Sequence, residues 1–151
     1  MTLLVLWVTT FVVCVAGAVI PFINTELYLI SVSALSPAAF VPPLVLAATF
    51  GQMAGKVAMF YAGRGVLRIR SPRLQRGVTA LRLRLDSRPV FSGVVLFSSA
   101  TVGLPPLYVM AVVCGTIRMS VVSFFVIGSV GRLIHFAAVA ALPQYAKSWL
   151  S

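Results

Sequence analysis

The sequence predicts an all-α integral membrane protein. It is read as two inverted half-repeats, each a re-entrant helical hairpin plus a transmembrane helix, joined by a basic cytoplasmic loop that carries an amphipathic helix. Three observations lead there. The first is composition: 151 residues, 60% hydrophobic, mean hydropathy +1.06 and 9% charged, where soluble domains average about 25% charged. A soluble fold of this length could not cover that much apolar surface. The second is the placement of charge. The net charge is +10, and Arg64, Arg68, Arg70, Arg73, Arg76, Arg82, Arg84 and Arg88 all fall in one stretch between apolar segments. One basic loop between apolar segments is the positive-inside pattern, and this distribution argues against the nucleic-acid binding that the charge alone could suggest. The third is the order of apolar runs and breaks, which looks alike in the two halves.

The first run, residues 3–20, ends at a break holding Pro21, Asn24, Thr25 and Glu26. Residues 27–40 are apolar again but stop at Ser36-Pro37 and Pro42-Pro43. Residues 43–63 form a full run interrupted only by Lys56. After the basic loop, residues 90–104 are apolar, Pro105-Pro106 breaks the chain, and residues 107–117 form a short leg. Residues 119–142 are the second full run, containing Arg132 and His135. A bilayer crossing needs about 20 apolar residues, so 43–63 and 119–142 are read as spans and the shorter runs as legs of re-entrant hairpins. Irregular backbone at membrane depth is tolerated only inside protein or beside a watery cavity, which makes the two breaks the places to look for function. The domain division follows: 1–63 and 90–142 are the half-repeats, 64–89 the loop and 143–151 a polar tail. The halves align Leu27-Tyr28 with Leu107-Tyr108 and Gly63-Arg64 with Gly131-Arg132. Inverted repeats with broken helices are a common transporter plan.

In the loop, Ser71-Pro72 reads as a helix start, followed by Leu74, Val78, Leu81 and Leu85 at helical spacing. Arg73, Arg76, Arg82 and Arg84 are interleaved with them. A basic amphipathic helix attracted to anionic lipid fits that pattern. Cys14 and Cys114 lie in apolar runs and read as small buried hydrophobes rather than a disulfide or metal site. The N-terminus shows neither the basic n-region of a cleaved signal nor a lipid-attachment pattern.

Glu26 is the one acid outside the loop, and it follows a helix break. An ionisable group in a membrane segment is usually functional or paired, and Glu26 is expected within the segment. Arg132, at mid-depth of its run, is expected to face the interior and pair with Glu26 or an anionic headgroup; Arg118 and Lys56 are further headgroup candidates. His135 lies one turn after Arg132 on the same face. Asn24 and Thr25 are expected to hydrogen-bond the backbone freed at the break. Gly51, Gly55, Gly63 and Gly131 allow close helix approach, and Gly51-x-x-x-Gly55 suits packing within one chain or a homo-oligomer. No phosphate-binding loop, zinc-protease or nucleophile-elbow motif occurs, so no enzyme activity, cofactor or metal is expected.

The strings Glu26-Leu27-Tyr28-Leu29, Gly51-Gln52-Met53-Ala54-Gly55-Lys56 and Phe60-Tyr61-Ala62-Gly63-Arg64 resemble the first half of the VTT (SNARE-associated, DedA-like) membrane proteins, in particular the small bacterial YqaA-like branch. Gly103-Leu104-Pro105-Pro106, Gly115, Arg118-Met119, Phe124-Phe125 and Gly131-Arg132 look like the second half. The resemblance covers roughly residues 15–142. It implies two re-entrant hairpins, a lipid transport or scramblase activity, an acidic hairpin residue at Glu26 and a hairpin-tip proline at Pro105 or Pro106. Two features of the family are missing. Ser98, Ser99, Leu107 and Tyr108 stand where classical members carry arginines, and no second acid accompanies Glu26.

The expected function is a membrane lipid transporter or scramblase in the bacterial cytoplasmic (inner) membrane, acting on a phospholipid or phosphorylated carrier lipid along a polar path between the hairpins. Membrane lipids are its expected partners, anionic headgroups above all, with no nucleic acid. The alternatives are a non-transporting scaffold or assembly protein working through its basic loop, and a small-ion or drug exporter.

Overall fold

The structure is a computed structural model that describes residues 3–20, 22–66, 72–85 and 87–150. Pro21, one of the expected hairpin-tip residues, lies outside them, as do Arg68, Arg70 and Ser71 of the loop. Among the described residues there is no strand. The elements are α1 (Leu3–Val19), α2 (Thr25–Leu35), a 3-10 turn (Ala38–Phe40), α3 (Val41–Tyr61), a π turn (Ala62–Val66), α4 (Pro72–Leu85), α5 (Pro89–Val102), α6 (Leu107–Thr116) and α7 (Val121–Leu150). Two stretches are long and apolar enough to cross a membrane, Ala38–Gly65 with 28 residues and Val121–Ala146 with 26. At 1.5 Å per residue, the 11 residues of α2 and the 10 of α6 reach only about half of a bilayer core of about 30 Å.

The chain forms two compact units, Met1–Gly55 with Arg132–Ser151, and Lys56–Gly131. The unit boundaries fall inside α3 and α7, each between a glycine and a cation.

In the first unit, α1 and α2 run antiparallel. Thr10 Oγ1 lies 3.2 Å from the Tyr28 hydroxyl, and Gly17 leaves room for the Thr25 methyl where the chain doubles back. The apolar core joins Cys14 of α1, Leu29 of α2, Leu44, Val45 and Ala48 of α3, and Phe136 and Ala140 of α7. The expected polar tail is not separate: α7 continues through Pro143 to Leu150. Gln144 accounts for this, since its amide donates to the Ser33 carbonyl at 2.8 Å and ties the last turns of α7 to α2.

In the second unit, α6 packs against the π turn, α4 and α5. Met110 through Gly115 are buried without interruption, so the second half of this helix is enclosed, while Tyr108 in its first turn is exposed. Its crossing with the end of α3 is closed by two glycines. A methyl at Gly115 would run into the Phe60 carbonyl and one at Gly63 into the Val112 carbonyl. Phe60 stacks on Phe124 at 4.9 Å between ring centres. The expected loop helix is α4; Leu85 is buried, and Arg73, Arg76, Arg82 and Arg84 are exposed.

The alignment of the halves changes in one place. Leu27-Tyr28 and Leu107-Tyr108 each open a short helix. Gly63-Arg64, however, follows the end of α3, whereas Gly131-Arg132 sits within α7. Gly55-Lys56, like Gly131-Arg132, lies within a long helix. A Cβ at Gly55 would lie 2.5 Å from Ala18 Cβ on α1, and one at Gly131 would lie 2.6 Å from Ala100 Cβ on α5. Each glycine therefore seats the helix that precedes a break, next to a buried cation.

Glycine spacing yields a direct test by thermal unfolding in detergent. Gly115→Ala is expected to cost about 1–3 kcal/mol through overpacking against backbone. Gly77→Ala, in open space on α4, is expected to gain up to about 1 kcal/mol of helix propensity. Equal effects would contradict the crossing described above.

Candidate functional site

The break after α1 is organised by Asn24. Its Oδ1 accepts from the Glu26 and Leu27 backbone amides, both at 3.1 Å, satisfying donors that the first turn of α2 leaves open. This fixes Glu26 in that first turn. Thr25 was expected to share the capping role. It is instead buried, and its hydroxyl accepts from Gln52 Nε2 on α3 at 3.1 Å.

Glu26 meets α7. His135 Nε2 lies 2.9 Å from Glu26 Oε1, where the ring N–H donates to the carboxylate. The expected partner was Arg132. That residue sits one turn earlier on the same helix and is only 8% exposed. Its guanidinium lies over the Phe136 ring at 5.5 Å, and its Nε has no hydrogen-bond partner. The nearer imidazole has taken the carboxylate. Glu26 itself is 48% exposed, so the buried charge at this break is Arg132. Gln52 Oε1 is a second buried atom here without a partner.

The break after α5 is built differently. Gly103 ends the helix in the left-handed region, φ 88°, a conformation glycine adopts freely. The Ser99 hydroxyl donates to the Pro105 carbonyl, and the Leu104–Pro105 peptide is cis. Pro105 and Pro106 thus form the turn into α6. Ser99, found where the resemblance led one to look for an arginine, closes the break instead of offering a charge. Tyr108, in the first turn of α6, faces Lys56 of α3: Nζ lies 5.9 Å from the ring centre. Lys56 is 5% exposed, so its side chain is held inside the unit.

The remaining sites fall elsewhere. Gly51 and Gly55 pack on α1 of the same chain. Arg118 is exposed in the α6–α7 turn with φ 56°. Arg64 Nη2 donates to the Met119 carbonyl at 2.7 Å and its guanidinium covers the Phe60 ring at 4.8 Å. Sequence reasoning missed three contacts: Glu26–His135, Gln52–Thr25 and Lys56–Tyr108. The one-turn spacing of Arg132 and His135 was the signal available for the first. Among the described residues, no three His, Cys, Asp or Glu side chains come together as metal ligands.

The pattern in both units is the same chemistry: a buried cation on a long helix beside the first turn of a short one. Such a group can bind an anion without catalytic help. Replacing an incompletely paired buried charge by an apolar side chain of similar volume is commonly neutral or stabilising. Arg132→Met is therefore expected to leave the melting temperature unchanged or raised; a loss of about 3 kcal/mol or more would show Arg132 to be structural. Comparison with protein-family models, with curated proteins and with solved structures finds no match to this chain.

Proposed function

We propose that this protein is a multi-pass membrane protein of the VTT (DedA-like) kind that moves a lipid across the bilayer. An anionic headgroup is held by Arg132 while the acyl chains stay in lipid. The observation that carries the reading is Arg132: a cation nearly enclosed by apolar helices, with an unpartnered Nε. Intramembrane charges of this sort mark substrate paths more often than they stabilise folds. Glu26 and His135 hold each other beside it, which leaves Arg132 available to an incoming phosphate.

Three further features support the membrane setting. Apolar side chains such as Leu4, Val8, Val12, Val122, Val126 and Ile134 are exposed along α1 and α7, far more than a soluble monomer tolerates. The short helices α2 and α6 suit re-entrant legs. Each half runs helix, break, short helix, long helix, the order an inverted repeat requires. The basic loop would then face the cytoplasm, in keeping with a bacterial inner membrane.

A scaffold role is the second reading, favoured by the exposed arginines of α4. Lipid translocation in proteoliposomes separates the two. With fluorescent phospholipid and a polyprenyl-phosphate probe, Arg132→Met and Glu26→Gln are each expected to slow translocation by about tenfold or more, the equivalent of about 1.4 kcal/mol. Reversing Arg76 and Arg82 to Glu should have little effect. Translocation that survives both site variants contradicts the proposed path. Absence of translocation by correctly inserted wild-type protein favours the scaffold.

A further inference from the structure

The second unit contains a cleft that the site above does not use. It has a volume of about 770 Å³, within the range of small-molecule sites. One wall is α5, where Val90, Val94 and Phe97 recur along one face; the other is the start of α7, with Ser123 and Ile127. The α6–α7 turn closes one end with Arg118 and Ser120. Arg118 is the one charged side chain among the described lining residues. Gly93 leaves space between the walls that a side chain would take up: a Cβ there would meet Ile127 Cδ1 at 3.6 Å.

The turn that carries Arg118 is unusual. The Met119 amide donates to the Cys114 carbonyl at 3.1 Å and the Arg118 amide to the Gly115 carbonyl at 3.2 Å. This is the helix-ending loop whose left-handed position normally holds glycine. Here arginine occupies it at φ 56°. Strained residues of this kind persist where their side chains are used. Arg64 holds the same turn in place through the Met119 carbonyl.

We propose that this cleft binds a lipid with an anionic headgroup, the headgroup on Arg118 and Ser120 and one chain along Val94, Phe97 and Ile127. The charge argument selects the occupant. A guanidinium at the polar end matches a phosphodiester, with which it forms paired hydrogen bonds, and the other end is apolar. The cleft also adjoins Leu85, the last residue of the arginine-rich α4, whose field concentrates anionic lipid nearby. The inference rests on the membrane reading above, but not on transport.

Bromolipid quenching tests it with the full chain. Trp7 and Trp149 are replaced by Phe, and Phe97→Trp supplies one reporter. The protein is placed in vesicles of phosphatidylcholine and phosphatidylglycerol, with bromine on the chains of one lipid at a time. The expected result is about a tenfold preference for phosphatidylglycerol at the reporter, near 1.4 kcal/mol. Arg118→Gly should bring the ratio close to one without lowering thermal stability, since glycine relieves the turn. Arg76→Gln should leave the preference intact, which separates the cleft from the general field of α4. Gly93→Leu should reduce quenching by both lipids. Equal quenching by the two lipids in the unsubstituted cleft, or a preference that survives Arg118→Gly, would mean ordinary boundary lipid and overturn the proposal. Lack of quenching together with cross-linking between copies through position 97 would mean that a second chain covers the cleft, and would overturn it too. Glu26→Gln should leave the preference unchanged, so failed transport with a selective cleft counts against the transport reading alone. Failure of the protein to float with vesicles counts against both.

Discussion

Breaking an apolar helix frees backbone donors and acceptors, and in surroundings without water each one left unmet costs several kcal/mol. The two breaks in this chain solve that problem with different local chemistry, and the placement of the remaining elements follows from the solutions. After α1, Asn24 supplies both hydrogen bonds that the first turn of α2 needs. After α5, a left-handed glycine ends the helix and the Ser99 hydroxyl satisfies the Pro105 carbonyl, while the first turn of α6 has no side-chain cap. Because each break is closed from within its own segment, the short helix that follows starts at a fixed point. That start faces a cation on a long helix: Arg132 in one unit, Lys56 in the other.

The two units then use their cations unequally. Lys56 lies 5.9 Å from the centre of the Tyr108 ring, a cation–π arrangement. In the first unit the carboxylate of Glu26 is taken by His135, and Arg132 keeps an unpartnered nitrogen. Glycines set the depth of both arrangements, since Gly55 and Gly131 each bring a neighbouring helix to contact distance immediately before the cation. Glycine and cation thus form a packing unit: the first brings the backbones together and the second places charge at the seam.

Much of this architecture was legible from run lengths. The apolar runs 3–20, 27–40, 43–63, 90–104, 107–117 and 119–142 correspond to α1, α2, α3, α5, α6 and α7, closely except at the ends of α2 and α7. Proline and charge end apolar helices sharply, so these boundaries are written in single residues. The Pro72 start of α4 was legible for the same reason. What could not be read were contacts across the sequence. Glu26 lies 109 positions from His135, and two nitrogen-bearing side chains one turn apart on α7 compete for it. Helical periodicity places both on one face without saying which reaches the carboxylate. The Gly63-Arg64 match misled because identical dipeptides occurred in different settings, one ending a helix and one inside it. The extent of α7 was also missed: Pro143 signals a stop, but Gln144 bonds to Ser33, far away in sequence, and carries the helix past it.

Transport along the proposed path requires the break between α1 and α2 to lie inside the bilayer, so that Glu26 and Arg132 share its depth. Single cysteines at positions 2, 22 and 36, in a chain with Cys14 and Cys114 replaced by Ser, test this in sealed vesicles of known orientation. The reagent is a membrane-impermeant maleimide applied from each side in turn. A re-entrant pair predicts that positions 2 and 36 react from the same side and that position 22 is protected from both. Reaction of position 22 from the side opposite to position 2 would mean that α1 crosses the membrane completely, and would remove Glu26 from the interior where the proposed path requires it.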